Sequence, residues 1–199
     1  KQDAVMAFDT GPGNMVVDAL AEVLLGKAFD RNGAVAAKGA VLETVLARML
    51  RHPYFKRLPP KTAGREQFGR EYTAAFLAEC RKASGKTEDA LATATALTAE
   101  TITRAYARFV LPKMGAGAVD FVFSGGGVRN AALMRMLAMR LETMGCALAS
   151  SEAFGMPAEA KEAGAFALLA WQTWHRLPGN VPAATGASRP VILGQVTYA

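Results

Sequence analysis

Hydrophobic positions recur with helical spacing along most of this chain, and short wholly apolar runs interrupt that pattern at only a few places. The first run, Ala4 to Phe8, predicts a strand that leads into Asp9-Thr10-Gly11-Pro12-Gly13-Asn14. Helical spacing then takes over from Met15 to Leu25, with Met15, Ala19, Val23 and Leu24 on one face and Asn14 as N-cap. Gly26 and the stretch from Asp30 to Gly33 read as a break. A second helix is predicted over Ala34 to Leu50, ended at His52-Pro53 because a residue before proline disfavours helical angles. Pro53 to Arg65 reads as irregular, since Pro59-Pro60 suits neither a helix interior nor a central strand.

Two further helices are predicted over Glu66 to Ala83 and Thr87 to Val110, parted by Ser84-Gly85-Lys86. Threonines at 93, 95, 98, 101 and 103 lower the intrinsic helix propensity of the second. Val119 to Phe123 predicts a strand. Asn130 to Met144 predicts a helix with Leu133, Leu137 and Leu141 four apart. A short strand over Cys146 to Ala149, a helix over Pro157 to Trp174, a Gly/Pro-rich loop over Leu177 to Ser188 and a last strand over Val191 to Tyr198 complete the pattern. Few strands between long helices imply an α/β fold with a helix-rich shell.

At 199 residues, 51% hydrophobic and 20% charged, the chain has material for one ordinary core. No run reaches the ~18 apolar residues of a membrane span, and the apolar stretch behind Lys1-Gln2-Asp3 is too short for a secretory signal, so no membrane partner is expected. Cys80 and Cys146 are far apart and belong to no metal-spaced cluster, which points to two free thiols and a cytoplasmic setting, with a disulfide between them as the less favoured alternative. The net charge of +6 comes from scattered lysines and arginines, without a zinc finger or an aromatic-basic RNA signature. Nucleic acid is therefore not the expected partner, and the balance suits an anionic ligand or a solvated surface.

Two strand–turn–helix passages carry the candidate chemistry. In the first, Asp9 stands where a strand gives way to Gly11 and Gly13, which let a ligand approach the main chain closely. Asp9 reads either as a general base beside a phosphate or sugar or as a turn cap. In the second, Phe123-Ser124-Gly125-Gly126-Gly127-Val128-Arg129-Asn130 clears side chains from a turn that opens a helix. Backbone N–H groups and the helix N-terminus suit a nucleotide there, and Arg129 suits a base or a phosphate. The alternative is a tight turn without a ligand. The run lacks the Gly-Lys-Ser/Thr ending of a Walker A loop and the spacing of a dinucleotide fingerprint. Glu162, ahead of Ala163 and Gly164, reads either as a group positioning a water or sugar hydroxyl or as a solvated helix residue. His52 and His175 stand at helix ends, where a cation is favourable for structural reasons alone. No protein-built metal site is expected.

These motifs together resemble the anhydro-N-acetylmuramic acid kinase family. The likeness runs from Phe8-Asp9-Thr10-Gly11-Pro12-Gly13-Asn14-Met15 through Asp18-Ala19, Phe29-Asp30, Pro53-Tyr54-Phe55 and Pro59-Pro60-Lys61-Thr62-Ala63-Gly64-Arg65-Glu66. It continues in Leu97-Thr98-Ala99, in Gly125 to Asn130, in Glu162-Ala163 and in Leu177 to Pro182 with Thr185-Gly186-Ala187. The resemblance implies a helix-rich C-terminal lobe of an actin-like ATPase (ribonuclease H-like) fold. It implies an ATP- and Mg2+-dependent kinase acting on the anhydro-muramic sugar in peptidoglycan recycling. Asp9 would be the catalytic base. Gly11, Gly13, Asn14 and Glu162 would contact the sugar, and Gly125, Gly126, Gly127, Arg129 and Asn130 the nucleotide. Family members are about twice as long, so the chain is expected to be a single C-terminal lobe, residues 1–199, lacking an N-terminal lobe and inactive alone. The resemblance also implies a homodimer. A non-catalytic nucleotide-binding or interaction lobe of the same superfamily is the alternative. One departure stands out: Ala158-Glu159-Ala160-Lys161-Glu162-Ala163 replaces the usual Gly-Asp-Asp-Met-Glu-Ala type of run.

Overall fold

Alanines and threonines make the centre of this molecule. Helix α5 (Thr87–Ala105) is buried at every position from Asp89 to Ala99, and small side chains let its neighbours approach closely from several sides. Those neighbours are α1 (Met15–Leu25), α2 (Glu43–Met49), α4 (Arg70–Ala83) and α6 (Ala131–Glu142). The threonines are accommodated inside the core because their hydroxyls bond back to the carbonyls one turn earlier, which satisfies each buried hydroxyl without a partner from outside the helix. Thr93 Oγ1 donates to Asp89 O at 2.6 Å and Thr95 Oγ1 to Leu91 O at 2.9 Å. A polar group satisfied within its own helix can be buried at little cost.

The computed structural model describes residues 5–114 and 119–197. Within them the fold is helix-rich α/β, with one two-stranded parallel sheet. Strand β1 (Val119–Phe123) pairs with β2 (Cys146–Ser150) in the register Val119–Cys146 through Phe123–Ser150. Helix α6 is the crossover between them, as parallel strands require. Cys80 and Cys146 are both buried and free. No helix among the described residues is long and apolar enough to cross a membrane.

Several elements match the expected bounds closely: α1, β1, α6 and β2. Others are corrected. The described part of the expected first strand, Val5 to Phe8, is extended chain without strand pairing, and Ala4 lies outside the described residues. The helix expected over Ala34 to Leu50 is a 3-10 turn (Ala36–Lys38), an extended link at Gly39 and then α2. A Cβ at Gly39 would sit 2.1 Å from Glu88 O, so the chain there must run extended against the start of α5. Glu66 to Ala83 is divided at Gly69 into α3 (Arg65–Phe68) and α4. The helix expected to reach Val110 leaves α geometry after Ala105 and continues as one wide π turn, Tyr106–Val110.

On α1 the enclosed stripe is Val16, Val17, Leu20 and Ala21, one position away from the expected face, and Val23 is exposed. Asn14 makes no side-chain cap; its own angles (φ −83°, ψ −9°) are already helical, whereas a capping side chain needs an extended residue. The C-terminal region holds α7 (Lys161–Trp174), which starts later than expected, and a single helical turn, α8 (Pro182–Thr185), inside the Gly/Pro-rich loop. The last strand is absent: residues 191–197 form no sheet pairing, and Tyr198 lies outside the described residues.

Candidate active site

The two glycine turns meet because the break between α1 and α2 docks onto the second turn. Asp30, buried, accepts from Val35 N at 3.0 Å and Ala36 N at 2.9 Å, and so folds residues 30–36 into a tight hook. Gly33 in that hook has φ +65°, and a Cβ there would lie 2.1 Å from Asn130 Oδ1. Only a glycine leaves room for Asn130. Asn130 in turn caps α6, with Oδ1 accepting from Leu133 N at 3.0 Å. Gly125 N donates to Ala158 O at 2.8 Å, which ties the second turn to the segment before α7.

A cleft of about 290 Å3 opens where these parts converge. Asn14 and Asp18 line it from the first turn and α1, Gly126, Arg129 and Asn130 from the second turn, and Glu159 from the far rim. Gly127 faces Asn14 directly: a Cβ on it would stand 3.8 Å from the Asn14 amide nitrogen. Burial raises the Asp18 carboxyl above its ordinary value. Arg129 and Glu159 form an exposed ion pair across the rim. Thr98 Oγ1 of α5 donates to Gly13 O at 2.6 Å and holds the first turn from below.

Asp9 stands at the start of the first turn, outside the lining of the cleft, and is exposed. Its Oδ2 accepts from Ala63 N at 2.8 Å, its N–H donates to Lys61 O at 2.9 Å, and its carbonyl accepts from Tyr54 OH at 2.7 Å. Burial and the Asp9 charge push the Tyr54 phenol up to about 12, so it stays a donor. Oδ1 has no hydrogen-bond partner among the described residues. Gly11 and Gly13 likewise lie outside the cleft lining, and Glu162 is exposed on the first turn of α7.

A family profile for anhydro-N-acetylmuramic acid kinase matches residues 1–199. The chain belongs to that family. A protein of this name from a strain of Bacillus cereus is 44% identical over 194 residues, covering 98% of this chain and 50% of the relative. Others of the same name, from a second Bacillus cereus strain and from Bacillus thuringiensis subsp. konkukian, are 43% and 42% identical over the same share. The chain spans about half the length of the curated relatives it matches.

Within this kinase family chain, the structure therefore brings Asn14 together with Gly126, Gly127, Arg129 and Asn130, and leaves Asp9 and Glu162 outside that cleft. Sequence reasoning assigned no role to Asp18, Asp30 or Glu159. Asp18 lies one helical turn past Asn14 and so shares its face, a signal open to periodicity. Asp30 acts locally, on the amides of Val35 and Ala36, and no simple period marks it; Glu159 carries no local signal, because its partner Arg129 belongs to another segment of the chain.

Proposed function

We propose that this chain is the nucleotide-binding lobe, of actin-like ATPase type, of an ATP-dependent sugar kinase completed by the remaining half of a longer protein. The full protein would phosphorylate O6 of 1,6-anhydro-N-acetylmuramic acid while water opens the anhydro ring, giving N-acetylmuramic acid 6-phosphate for peptidoglycan recycling. The observation that carries this reading is the shared cleft, where two glycine turns from distant parts of the sequence meet around Asn14 and Arg129. Its volume is at the lower edge of ordinary ligand sites and suits one part of a nucleotide.

The chemistry assigns Asp9 the proton of the attacking water. The water oxygen bonds to the anomeric carbon, the bond from that carbon to O6 breaks, and O6 takes the γ-phosphoryl group as ADP leaves. The Ala63 amide anchors Asp9 Oδ2, which would leave Oδ1 to take the proton of the water. The backbone N–H groups of Gly126 and Gly127 and the Arg129 side chain would steady the phosphates, the amides of Gly125, Val128 and Asn130 being bonded to carbonyls. Among the described residues no group of three or more His, Cys, Asp or Glu could hold a metal. Magnesium usually keeps its waters and binds through phosphates and one or two carboxylates. Of the three carboxylates lining the cleft, Asp30 is held by backbone amides and Glu159 by Arg129, which leaves Asp18 as the one that would hold it; its chemistry would be charge neutralisation on the phosphates.

A protein carrying both halves tests the reading. Asp9→Asn is expected to lower ring-opening phosphorylation by about 100-fold or more while ATP binding by calorimetry persists. The Asp9–Ala63 contact also favours a second reading, a non-catalytic nucleotide-binding lobe in which Asp9 only caps a turn. In that case Asp9→Asn lowers stability and there is no phosphorylation to lose.

A further inference from the structure

One loop grips the residue that carries the candidate base. Residues 53–63, between α2 and α3, hold Asp9 at its N–H, its carbonyl and its carboxylate. The N–H donates to Lys61 O at 2.9 Å, the carbonyl accepts from Tyr54 OH at 2.7 Å, and Oδ2 accepts from Ala63 N at 2.8 Å. The same loop also closes on the turn two residues further along. A Cβ at Gly11 would stand 3.1 Å from Phe55 Cε1 and 2.9 Å from Thr101 Oγ1, so Gly11 is pinched between the loop and α5.

Each bond removes a freedom. The bonds at the N–H and the carbonyl orient the two rigid peptide planes that flank Asp9. The bond at Oδ2 then selects one setting of the side chain. Asp9 is exposed, so no packing would otherwise hold its carboxylate in a single rotamer.

Tyr54 is the part of this grip that depends on residue type. Lys61 O and Ala63 N are main-chain groups, whereas the donor to the Asp9 carbonyl is a side-chain hydroxyl. Tyr54 is wholly buried, with its ring edge-on to Phe68 at 5.2 Å and to Phe55 at 5.9 Å, and Phe68 is itself in the core. Core packing is thereby carried through one hydroxyl to the backbone of Asp9. A buried tyrosine hydroxyl needs some acceptor, so this bond alone would be ordinary packing. Its convergence with the bonds from Lys61 and Ala63 on a single exposed aspartate is not.

We propose that Tyr54 is a positioning residue for the candidate reaction. Its hydroxyl, acting through the Asp9 carbonyl, keeps the Asp9 carboxylate in the setting that the Ala63 amide marks, and it touches no reacting atom. This rests on the reading of Asp9 as the base in a sugar kinase. A base must be in place before the water arrives, because a misplacement of about 1 Å can cost about 100-fold in rate.

Tyr54→Phe keeps the ring and its packing and deletes only the donor. Two measurements on it test the proposal. In the 199-residue chain, hydrogen exchange of the Ala63 amide, read by NMR, reports the Asp9–Ala63 bond without any catalysis. Tyr54→Phe is expected to speed that exchange about tenfold, the share of one hydrogen bond, while the amide of Leu97 in the core stays within about twofold. In a protein carrying both halves, Tyr54→Phe is expected to lower kcat for ring-opening phosphorylation about tenfold, with the sugar KM and the ATP Kd within about twofold. On an Asp9→Asn background it is expected to lower kcat by less than about twofold, because a positioning residue acts only through the group it positions. Unchanged Ala63 exchange, acceleration shared equally by Leu97, a loss confined to KM, or the same loss of kcat on both backgrounds would each overturn the proposal. Phosphorylation that Tyr54→Phe leaves unchanged rejects the positioning role alone. A parent protein with both halves and no phosphorylation rejects the kinase reading and the proposal with it, whatever the Ala63 amide does.

Discussion

Helices α5 and α7 are both rich in alanine, yet α5 is almost wholly enclosed and α7 buries no residue at all. Composition does not account for the contrast. Between Asp89 and Ala99, helix α5 carries only alanine, threonine and leucine beyond its first acid, and its neighbours close over it from several sides. Helix α7 carries Phe166, Leu168, Trp171 and Trp174, which stand 73%, 56%, 52% and 64% exposed. Bulky apolar side chains stabilise a fold only where other elements meet them, and among the described residues none encloses α7. The stability of this chain therefore resides around α5, while α7 adds apolar surface.

The sharpest way to break that contrast is a pair of truncations. Phe76→Ala, in the core beside α5, is expected to cost about 3–5 kcal/mol in denaturant unfolding. Phe166→Ala on α7 is expected to stay within about 0.5 kcal/mol of the parent. Equal losses would show that α7 shares the cooperative core.

Asp89 sharpens the contrast through pH. Its carboxylate accepts from Ser84 Oγ at 2.6 Å and from Ala40 N at 2.8 Å, and these bonds hold its carboxyl below the ordinary range. A depressed carboxyl contributes stability that is present above its unfolded value, about 3.9, and is lost as pH falls through the folded value. Asp89→Asn is therefore expected to melt several degrees below the parent near neutral pH, with the gap closing in acid. A gap that widens on acidification contradicts the assignment.

Smaller effects are expected at the cleft. Thr98→Val removes the donor to Gly13 O and is expected to cost about 1 kcal/mol, since the exposed glycine carbonyl can turn to water. It is also expected to loosen ATP binding measured by calorimetry, because the first glycine turn loses its support. The smallest change belongs to Glu159→Gln. The exposed Arg129–Glu159 pair is expected to contribute under about 1 kcal/mol, and less as salt rises. If Arg129 contacts the nucleotide as proposed, its release from Glu159 is expected to tighten ATP binding at low salt, measured by calorimetry.

The parts legible in the sequence were those decided locally. The bounds of α1 follow from its apolar period and from Gly26, which takes a left-handed conformation at the C-cap. The start of α6 follows from the Asn130 cap. The two glycine turns and the family resemblance rest on contiguous residues, so they too were readable. The strands expected at Ala4 to Phe8 and Val191 to Tyr198 failed in their described residues because an apolar run becomes a strand only when a neighbour pairs with it.

The sequence by itself determined the helix-rich α/β class, the two glycine turns and the kinase family. Tertiary structure decided that Gly33 makes room for Asn130, that Asn14 faces Gly127, and that Glu159 meets Arg129. It also decided that Asp9 and Glu162 stand outside the cleft those residues line. Each of these facts is a meeting of segments far apart in the chain. Hydrogen bonds and packing across such distances exist only after α5 has gathered its neighbours, so no local pattern records them.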